Sequence, residues 1–126
     1  MGEFFVEAKD TVRINFPDGQ WVDIKEEMTQ EDEDYITNQM AIAEVQERDA
    51  HWALNLGKVA MLERNIISWS FHNGDSPVPV NRSNVSALRK RYREKVLKEI
   101  DRVNKEAESF VIKNPKRVST TKSTKP

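Results

Sequence analysis

The chain has 126 residues, a formal net charge of -1 and no cysteine, and 33% of its residues are charged. This length suits one domain with one core. The lack of cysteine excludes disulfides and thiolate metal sites, and no apolar stretch approaches the roughly 20 residues that a membrane span needs. The start, MGEFFVEAKD, does not have the pattern of a signal peptide, so we expect a cytoplasmic protein without a membrane segment.

The net charge conceals an asymmetry between two parts of the chain. Residues 1–50 hold 14 acidic and 4 basic side chains, a balance of -10, whereas residues 51–126 hold 7 acidic and 16 basic ones, a balance of +9. Such polarity can steer self-association or assign separate surfaces to separate partners. We favour the simpler interpretation, that these charges lie on ordinary solvated helix faces.

The first predicted element is a β-hairpin at about residues 11–26. Residues 12–25 read VRINFPDGQWVDIK, in which two alternations of apolar and polar residues meet at Pro-Asp-Gly. A three-residue loop with Gly19 in the left-handed conformation pairs Arg13 with Asp23 on one face. A two-residue loop would mix the faces, so we reject it. The other face must rest on helices, and it comprises Val12, Ile14, Phe16, Val22 and Ile24.

A helical region is predicted next, at about residues 30–70, and it begins with acidic residues. Thr29 and Asp32 match a capping box, and acidic side chains in the first turn suit the helix dipole. The four consecutive acidic residues at 31–34 point around the helix axis and cannot converge on one metal ion. Capping therefore explains them better than a metal site does.

The apolar residues of this region continue with helical spacing as far as Ile66 and Trp69. A polar stretch at 46–49 interrupts this stripe, and Gly57 lies within it. These features leave open whether the region is one bent helix or two. We favour a break near residues 47–51.

A loop and a long helix complete the predicted domain. Residues 71–81 contain two prolines and several turn formers, which predicts a loop. Asn81 is the expected N-cap, supported by a hydrophobic staple between Val80 and Val85. One amphipathic helix is expected at about 82–112, and its further apolar positions are Leu88, Tyr92, Val96, Ile100, Val103, Ala107 and Phe110.

The fold class is therefore α+β, mainly α with a small N-terminal β-hairpin. The helices are expected to pack in a single domain at residues 1–112. Residues 113–126 hold five basic side chains and no acidic ones, together with many Ser and Thr residues. This composition is typical of a disordered basic tail.

The sequence contains no arrangement that predicts catalysis. Its two histidines, His51 and His72, lie near carboxylates, but neither has a second histidine at the spacing of metal ligands. The chain has no glycine-rich phosphate loop and no Gly-x-Ser-x-Gly motif. We expect a non-enzyme that has no metal or cofactor and acts by binding.

Three aromatic residues are candidates for binding a protein partner. Phe4 and Phe5 lie in a terminal segment without an assigned element, and Trp21 lies on the hairpin face opposite the apolar pairs. These rings can cover one another. If they do not, they form an exposed apolar patch of the kind that marks a protein-binding site.

The basic segment RKRYREK, residues 89–95, is the alternative binding site. Its candidate contacts to nucleic-acid phosphates are Arg89, Lys90, Arg91 and Arg93. Nucleic acid is the less favoured partner, because Tyr92 belongs to the apolar stripe. In addition, nearby carboxylates on the same helix are expected to pair with these bases, namely Glu94, Glu99 and Asp101.

The order of the predicted elements carries a family resemblance. The hairpin VRINFPDGQWVDIK, the acidic helix start MTQEDEDYI, the run MLERNIISWSF, the loop NGDSPVPVN and a capped helix follow one another over roughly residues 11–105. The most specific parts are Ile66-x-x-Trp69 and Val78-Pro79-Val80-Asn81. This order resembles the small tail assembly chaperones of long-tailed, siphovirus-like bacteriophages. The long acidic helix and the basic tail depart from that pattern and inherit nothing from it.

The resemblance implies a protein that binds the tape measure protein, keeps it soluble and helps the tail tube protein polymerise around it in the infected bacterial cytoplasm. It also implies absence from the finished virion, self-association into curved oligomers and a longer product made by frameshifting. The alternatives are a small nucleic-acid-binding regulator that uses residues 89–95 and the basic tail, or a structural adaptor that stays in the virion.

Overall fold

The computed structural model describes residues 4–45 and 50–112, with side chains at 4–42 and 54–106. Within these residues the fold is α+β, as predicted. The predicted tail, residues 113–126, lies outside them. Each helix in the described part of the chain is too short or too polar to cross a lipid bilayer. The elements in chain order are β1 Thr11–Asn15, β2 Trp21–Lys25, α1 Gln30–Val45, α2 Ala50–Asn65, β3 Ile66–Trp69, β4 His72–Asn73, β5 Ser76–Pro77, α3 Arg82–Ser86 and α4 Lys90–Ile112.

The β1–β2 hairpin has the predicted register. Arg13 lies opposite Asp23 as expected, and on the apolar face Ile14 lies opposite Val22 and Val12 opposite Ile24. Gly19 has a φ of 89°, and its N–H donates to the carbonyl of Phe16 at 3.0 Å, which closes the three-residue loop. Across the ladder, Arg13 Nε donates to Asp23 Oδ1 at 2.8 Å. The apolar face of the hairpin contributes to the core, as the alternation predicts.

The residues at 66–69 form a strand, so the prediction of a helical region as far as residue 70 is wrong at its end. β3 pairs antiparallel with β2, with Trp69 opposite Val22 and Ile66 opposite Ile24. The register shifts between these pairs at a β-bulge. The three residue steps from Ile66 to Trp69 on β3 lie opposite the two steps from Val22 to Ile24 on β2. The two core-facing residues of β3, Ile66 and Trp69, are therefore three positions apart, which is also the spacing of residues one turn apart on a helix.

Two antiparallel helices, α1 and α2, occupy most of the predicted helical region. α1 ends at Val45 and α2 begins at Ala50, which agrees with the favoured division into two helices, while residues 46–49 lie outside the described part. Gly57 allows a close approach between them, since a Cβ at this position would lie 3.0 Å from the Met40 sulfur. We call this pair the helical hairpin.

A buried carboxylate joins the sheet to both helices of the helical hairpin. Thr29 N–H donates to Asp32 Oδ2 at 3.0 Å and Asp32 N–H donates to Thr29 Oγ1 at 3.2 Å, which is the predicted capping box. Lys25 Nζ donates to both Asp32 oxygens at 2.8 Å, and Arg64 Nε donates to Oδ1 at 2.9 Å. Burial acts to raise the pKa of Asp32, but the hydrogen bonds from Lys25, Thr29 and Arg64 outweigh it and hold that pKa below its usual value.

The predicted loop at 71–81 contains a short ladder of its own. β4 pairs with β5 around Gly74, which has a φ of 59°. The loop is attached to the sheet, because Trp69 Nε1 donates to the carbonyl of Val78 at 2.7 Å. Asn81 then caps α3 as predicted, and its Oδ1 accepts the N–H of Asn84 at 2.9 Å.

The single helix predicted at 82–112 is wrong, because the chain leaves the helical path after α3 and resumes it at α4. Residues 83–86 are Ser-Asn-Val-Ser, which are poor helix formers. Ser86 Oγ donates to the carbonyl of Arg82 at 2.7 Å, a side-chain hydrogen bond that competes with helical ones. The break therefore lies within the run of apolar positions whose spacing predicted one continuous helix.

One apolar cluster holds these elements together. It draws on the sheet, α2, α3 and α4, and its buried members are Ile14, Phe16, Val22, Ile24, Leu62, Ile66, Trp69, Val85, Val96, Ile100 and Val103. Polar contacts fix α4 along the sheet. Lys95 Nζ donates to the carbonyl of Asn15 at 2.8 Å, and the N–H of Met28 donates to Asn104 Oδ1 at 3.0 Å.

Asp32→Asn should lower the free energy of unfolding at pH 7 by about 2 kcal/mol, because it leaves Lys25 and Arg64 with an uncharged partner. Lys25 is 22% exposed and Arg64 is 31% exposed, so water offsets part of the loss. Urea denaturation followed by circular dichroism measures the change.

Glu31→Gln is the matched control. Glu31 is 86% exposed and 4.0 Å from Arg64, so we expect a change below about 0.5 kcal/mol. Since folding lowers the pKa of Asp32, its stabilising effect is present above the unfolded pKa of about 3.9 and is lost as the pH falls through the folded pKa. The difference between wild type and Asp32→Asn should shrink below about pH 4. A constant difference down to about pH 2 would contradict the assignment.

Candidate binding groove

Four aromatic rings form a continuous row between the sheet and α4. The ring centroids of Trp69 and Phe71 are 5.2 Å apart. Those of Phe71 and Tyr92 are separated by 5.0 Å, and 4.9 Å separates Tyr92 from Phe16. Tyr92 meets Phe16 edge to face at 88°, a favoured geometry for aromatic pairs. The row therefore fixes α4 against both the turn of the β-hairpin and the segment that follows β3.

Two surface cavities adjoin at Arg91 and Tyr92, and together we call them the aromatic groove. The first has a volume of about 400 Å³, and its apolar lining comes from Trp69, Phe71, Val78, Ala87, Leu88 and Tyr92. The second has a volume of about 570 Å³ and is lined by Phe16, Pro17, Asp18, Arg91, Tyr92 and Lys95. Cavities of this size with apolar walls and a few polar groups are typical of binding sites.

Three basic side chains line the aromatic groove. Arg89 borders the first cavity, Arg91 borders both, and Lys95 borders the second. The guanidinium of Arg91 lies 5.2 Å from the centroid of Tyr92, and Lys95 Nζ lies 5.2 Å from that of Phe16, both within cation–π range. These contacts place positive charge beside aromatic rings.

A hydrogen bond joins Tyr92 to Asp18, two residues that line the second cavity of the aromatic groove. The Tyr92 hydroxyl donates to Asp18 Oδ2, and the N–H of Gln20 donates to Asp18 Oδ1 at 3.0 Å. These hydrogen bonds, that from Tyr92 first, lower the pKa of Asp18, and the positive charge of Arg91 contributes. The β-hairpin loop is thereby attached to α4 through its own turn residue.

The predicted aromatic candidates lie away from this groove. Phe4 is 75% exposed and Phe5 is 64% exposed. Trp21 is half-buried, with the guanidinium of Arg13 3.7 Å from its ring centroid. Among the described side chains, no ring contact links Trp21 to either phenylalanine. The structure therefore does not bring the three rings together.

The predicted basic candidates lie around the start of α4, and three of them are exposed: Arg89, Lys90 and Arg91. Arg93 is half-buried, and its Nε lies 3.5 Å from Glu94 Oε2. The expected neutralisation of this segment by the other two carboxylates is wrong, because Glu99 pairs with Arg102 and Asp101 pairs with Lys105 at 3.2 Å. Each of these two carboxylates is directed along α4 away from residues 89–91.

Three further apolar side chains are exposed on the helical hairpin. Met40 is 36% exposed, Ile42 is 45% exposed and Leu54 is 52% exposed. These residues lie towards the end of the helical hairpin that is remote from the Asp32 contacts, and we call them the end patch. The Met40 side chain packs towards Gly57 of α2, and Ile42, two positions further along α1, points to a different side of that helix.

Sequence reasoning missed most of the aromatic groove. It placed Phe16 and Tyr92 on apolar faces but gave no reason for them to meet, and it assigned Phe71 to a loop. The hydrogen bond between Tyr92 and Asp18 spans 74 positions, which no local pattern predicts. The basic segment at 89–95 indicated part of this site, because three of its basic residues, Arg89, Arg91 and Lys95, line the aromatic groove.

Comparison with known proteins gives no assignment. No family model matches the chain, and neither a curated protein nor a solved structure matches it. The geometry of the aromatic groove and the end patch is therefore the basis for a functional proposal.

Tyr92→Phe should raise the pKa of Asp18 towards its usual value, because the variant removes the hydroxyl donor and keeps the ring. An NMR pH titration of the Asp18 carboxyl group measures this shift. Tyr35→Phe is the matched control, since the Tyr35 hydroxyl donates to Glu63 instead, at 2.7 Å. An unchanged Asp18 titration in Tyr92→Phe would show that the hydrogen bond is not formed in solution.

Proposed function

We propose that this protein acts by binding another polypeptide, as a tail assembly chaperone of a long-tailed bacteriophage. In this role it binds the tape measure protein and assists polymerisation of the tail tube in the cytoplasm of the infected bacterium. It acts without catalysis or a cofactor.

The observation that carries the proposal is the aromatic groove, an open surface with apolar walls on a chain whose described residues form a separate buried core. A chaperone for a long helical client needs such a surface to cover the apolar face of client helices. The groove residues also have rigid supports, since the row of rings is packed between the sheet and α4. A preorganised surface loses little conformational entropy when it binds.

The end patch supports the same role. Met40, Ile42 and Leu54 are exposed apolar side chains that do not line the aromatic groove, and they offer further contacts to a client. Two contacts on one chaperone can bind one client at two points, which raises the effective affinity. The sequence resemblance to the phage chaperones over roughly residues 11–105 is the reason for proposing the tape measure protein as this client.

Co-expression of the full chain with the tape measure protein of the same phage should keep that client soluble and yield a complex. Leu88→Asp should abolish the complex, because it places a charge in the apolar wall of the aromatic groove. Size-exclusion chromatography of the soluble fraction measures the outcome. Circular dichroism of Leu88→Asp must show a folded protein.

Ile67→Asp is the matched control. Ile67 is 40% exposed and does not line the groove, so this variant should retain the client. Leu54→Asp tests the end patch separately. An insoluble client with the wild-type chain would refute the chaperone role. Loss of the complex with Leu54→Asp but not with Leu88→Asp would show that the client binds mainly at the end patch.

A nucleic-acid-binding regulator is the second candidate, favoured by one observation. Arg89, Lys90 and Arg91 are exposed, and two of the carboxylates expected to pair with them pair elsewhere. This function predicts retention on DNA at low salt, with an affinity that falls steeply as salt rises. Replacing Arg89, Arg91 and Arg93 by alanine should weaken binding and reduce the salt dependence. No retention of the wild-type chain at low salt would eliminate this candidate.

A further inference from the structure

The charge of the aromatic groove is positive. Arg89, Arg91 and Lys95 contribute three positive charges, whereas Asp18 is the one carboxylate among the described residues that line the two cavities. Asp18 is already engaged by the hydroxyl of Tyr92. An occupant of this groove therefore meets a surplus of basic groups.

Within the described part of the chain, these basic groups have few partners. Arg89 has no ion pair with a carboxylate among the residues that the structure describes. Arg91 lies over the ring of Tyr92 and near Asp18. Lys95 bonds a neutral carbonyl, that of Asn15. The guanidinium of arginine can donate two parallel hydrogen bonds to a carboxylate of opposite charge. The groove therefore suits an acidic group of a partner.

The aromatic row is a wall and not a stacking platform. Trp69 and Phe16 are each 8% exposed, so the rings at the two ends of the row offer little free face. The ring of Tyr92 is already in edge-to-face contact with Phe16, so part of its surface is covered. Recognition of single-stranded nucleic acid depends on bases that stack on exposed ring faces. The groove therefore suits the side chains of a polypeptide better than nucleic-acid bases.

The accessible part of the wall fits one face of a helix. Phe71 and Tyr92 are only half-buried, and their ring centroids lie 5.0 Å apart, close to the helical pitch of about 5.4 Å. An amphipathic helix presents apolar anchors at i, i+3 or i+4, and i+7 on one face. Polar residues that flank this face lie where the basic rim can reach them.

We propose that the aromatic groove binds an amphipathic helix of a partner protein whose apolar stripe is flanked by Asp or Glu residues. This inference rests on the proposed function and specifies the segment of the client that binds. The apolar stripe packs against the wall formed by Phe71, Leu88 and Tyr92, and its acidic flank pairs with Arg89 and Arg91.

The test uses three fluorescein-labelled probes and the full chain. Two are helical peptides of about 16 residues with leucines at i, i+3, i+4 and i+7, flanked by glutamates in one and by lysines in the other. The third is a single-stranded oligothymidine of similar length. Fluorescence anisotropy should show the acidic peptide binding at least about tenfold more tightly than either other probe. Its affinity should decrease as the salt concentration rises.

Arg89→Glu with Arg91→Glu should lower the affinity for the acidic peptide at least about tenfold and raise that for the basic peptide. Lys9→Glu with Lys58→Glu is the matched control. It changes the net charge by the same amount at exposed positions outside the groove, and it should leave the order of affinities unchanged.

Each contrary result has a defined meaning. Equal binding of the two peptides, or binding of the acidic peptide that salt does not weaken, would overturn the proposed acidic partner. Tighter binding of oligothymidine would assign the groove to nucleic acid. None of these results depends on the co-expression test, so a client that co-purifies while the acidic peptide fails would refute this inference and leave the chaperone role in place.

Discussion

The carboxylate of Asp32 is the interaction on which the arrangement of the chain depends. It is fully buried, and it accepts hydrogen bonds from Lys25 on β2, from the N–H of Thr29 and from Arg64 on α2. A buried carboxylate without donors is strongly unfavourable, so the sheet and the helical hairpin can assemble only in the orientation that supplies them. The same contact begins α1, because Thr29 and Asp32 form its capping box.

The orientation of α2 determines where the aromatic groove lies. α2 ends at Asn65 and β3 begins at Ile66, so the chain passes directly from the helix into a strand. This strand pairs with the edge of β2 that β1 does not occupy. The segment after β3 then carries Phe71 to the ring of Tyr92 on α4. The inner side of this aromatic row completes the core. Its outer side forms an apolar wall beside Arg89 and Arg91, and a rigid wall with flexible charged groups at its rim suits the recognition of another polypeptide.

The sequence by itself determined the features that depend on neighbouring residues. The three-residue loop needs Gly19 at a positive φ, and the alternation on each side then permits one register. The caps at Thr29 and Asn81 are satisfied by hydrogen bonds within three residues. In each case the steric or hydrogen-bonding requirement is met by side chains only a few positions away, so the local pattern is sufficient to predict it.

Only the tertiary structure decided that residues 66–69 are a strand, that the last helical segment is divided, and that an aromatic groove exists. Because of the β-bulge, Ile66 and Trp69 both face the core at a spacing that is also one helical turn, and pairing with β2 is what selects the strand. The break between α3 and α4 leaves Val85 and Val96 in one cluster. Phe16 and Tyr92 meet because the sheet and α4 share that cluster, and the free energy of such a contact is gained only after the chain has folded.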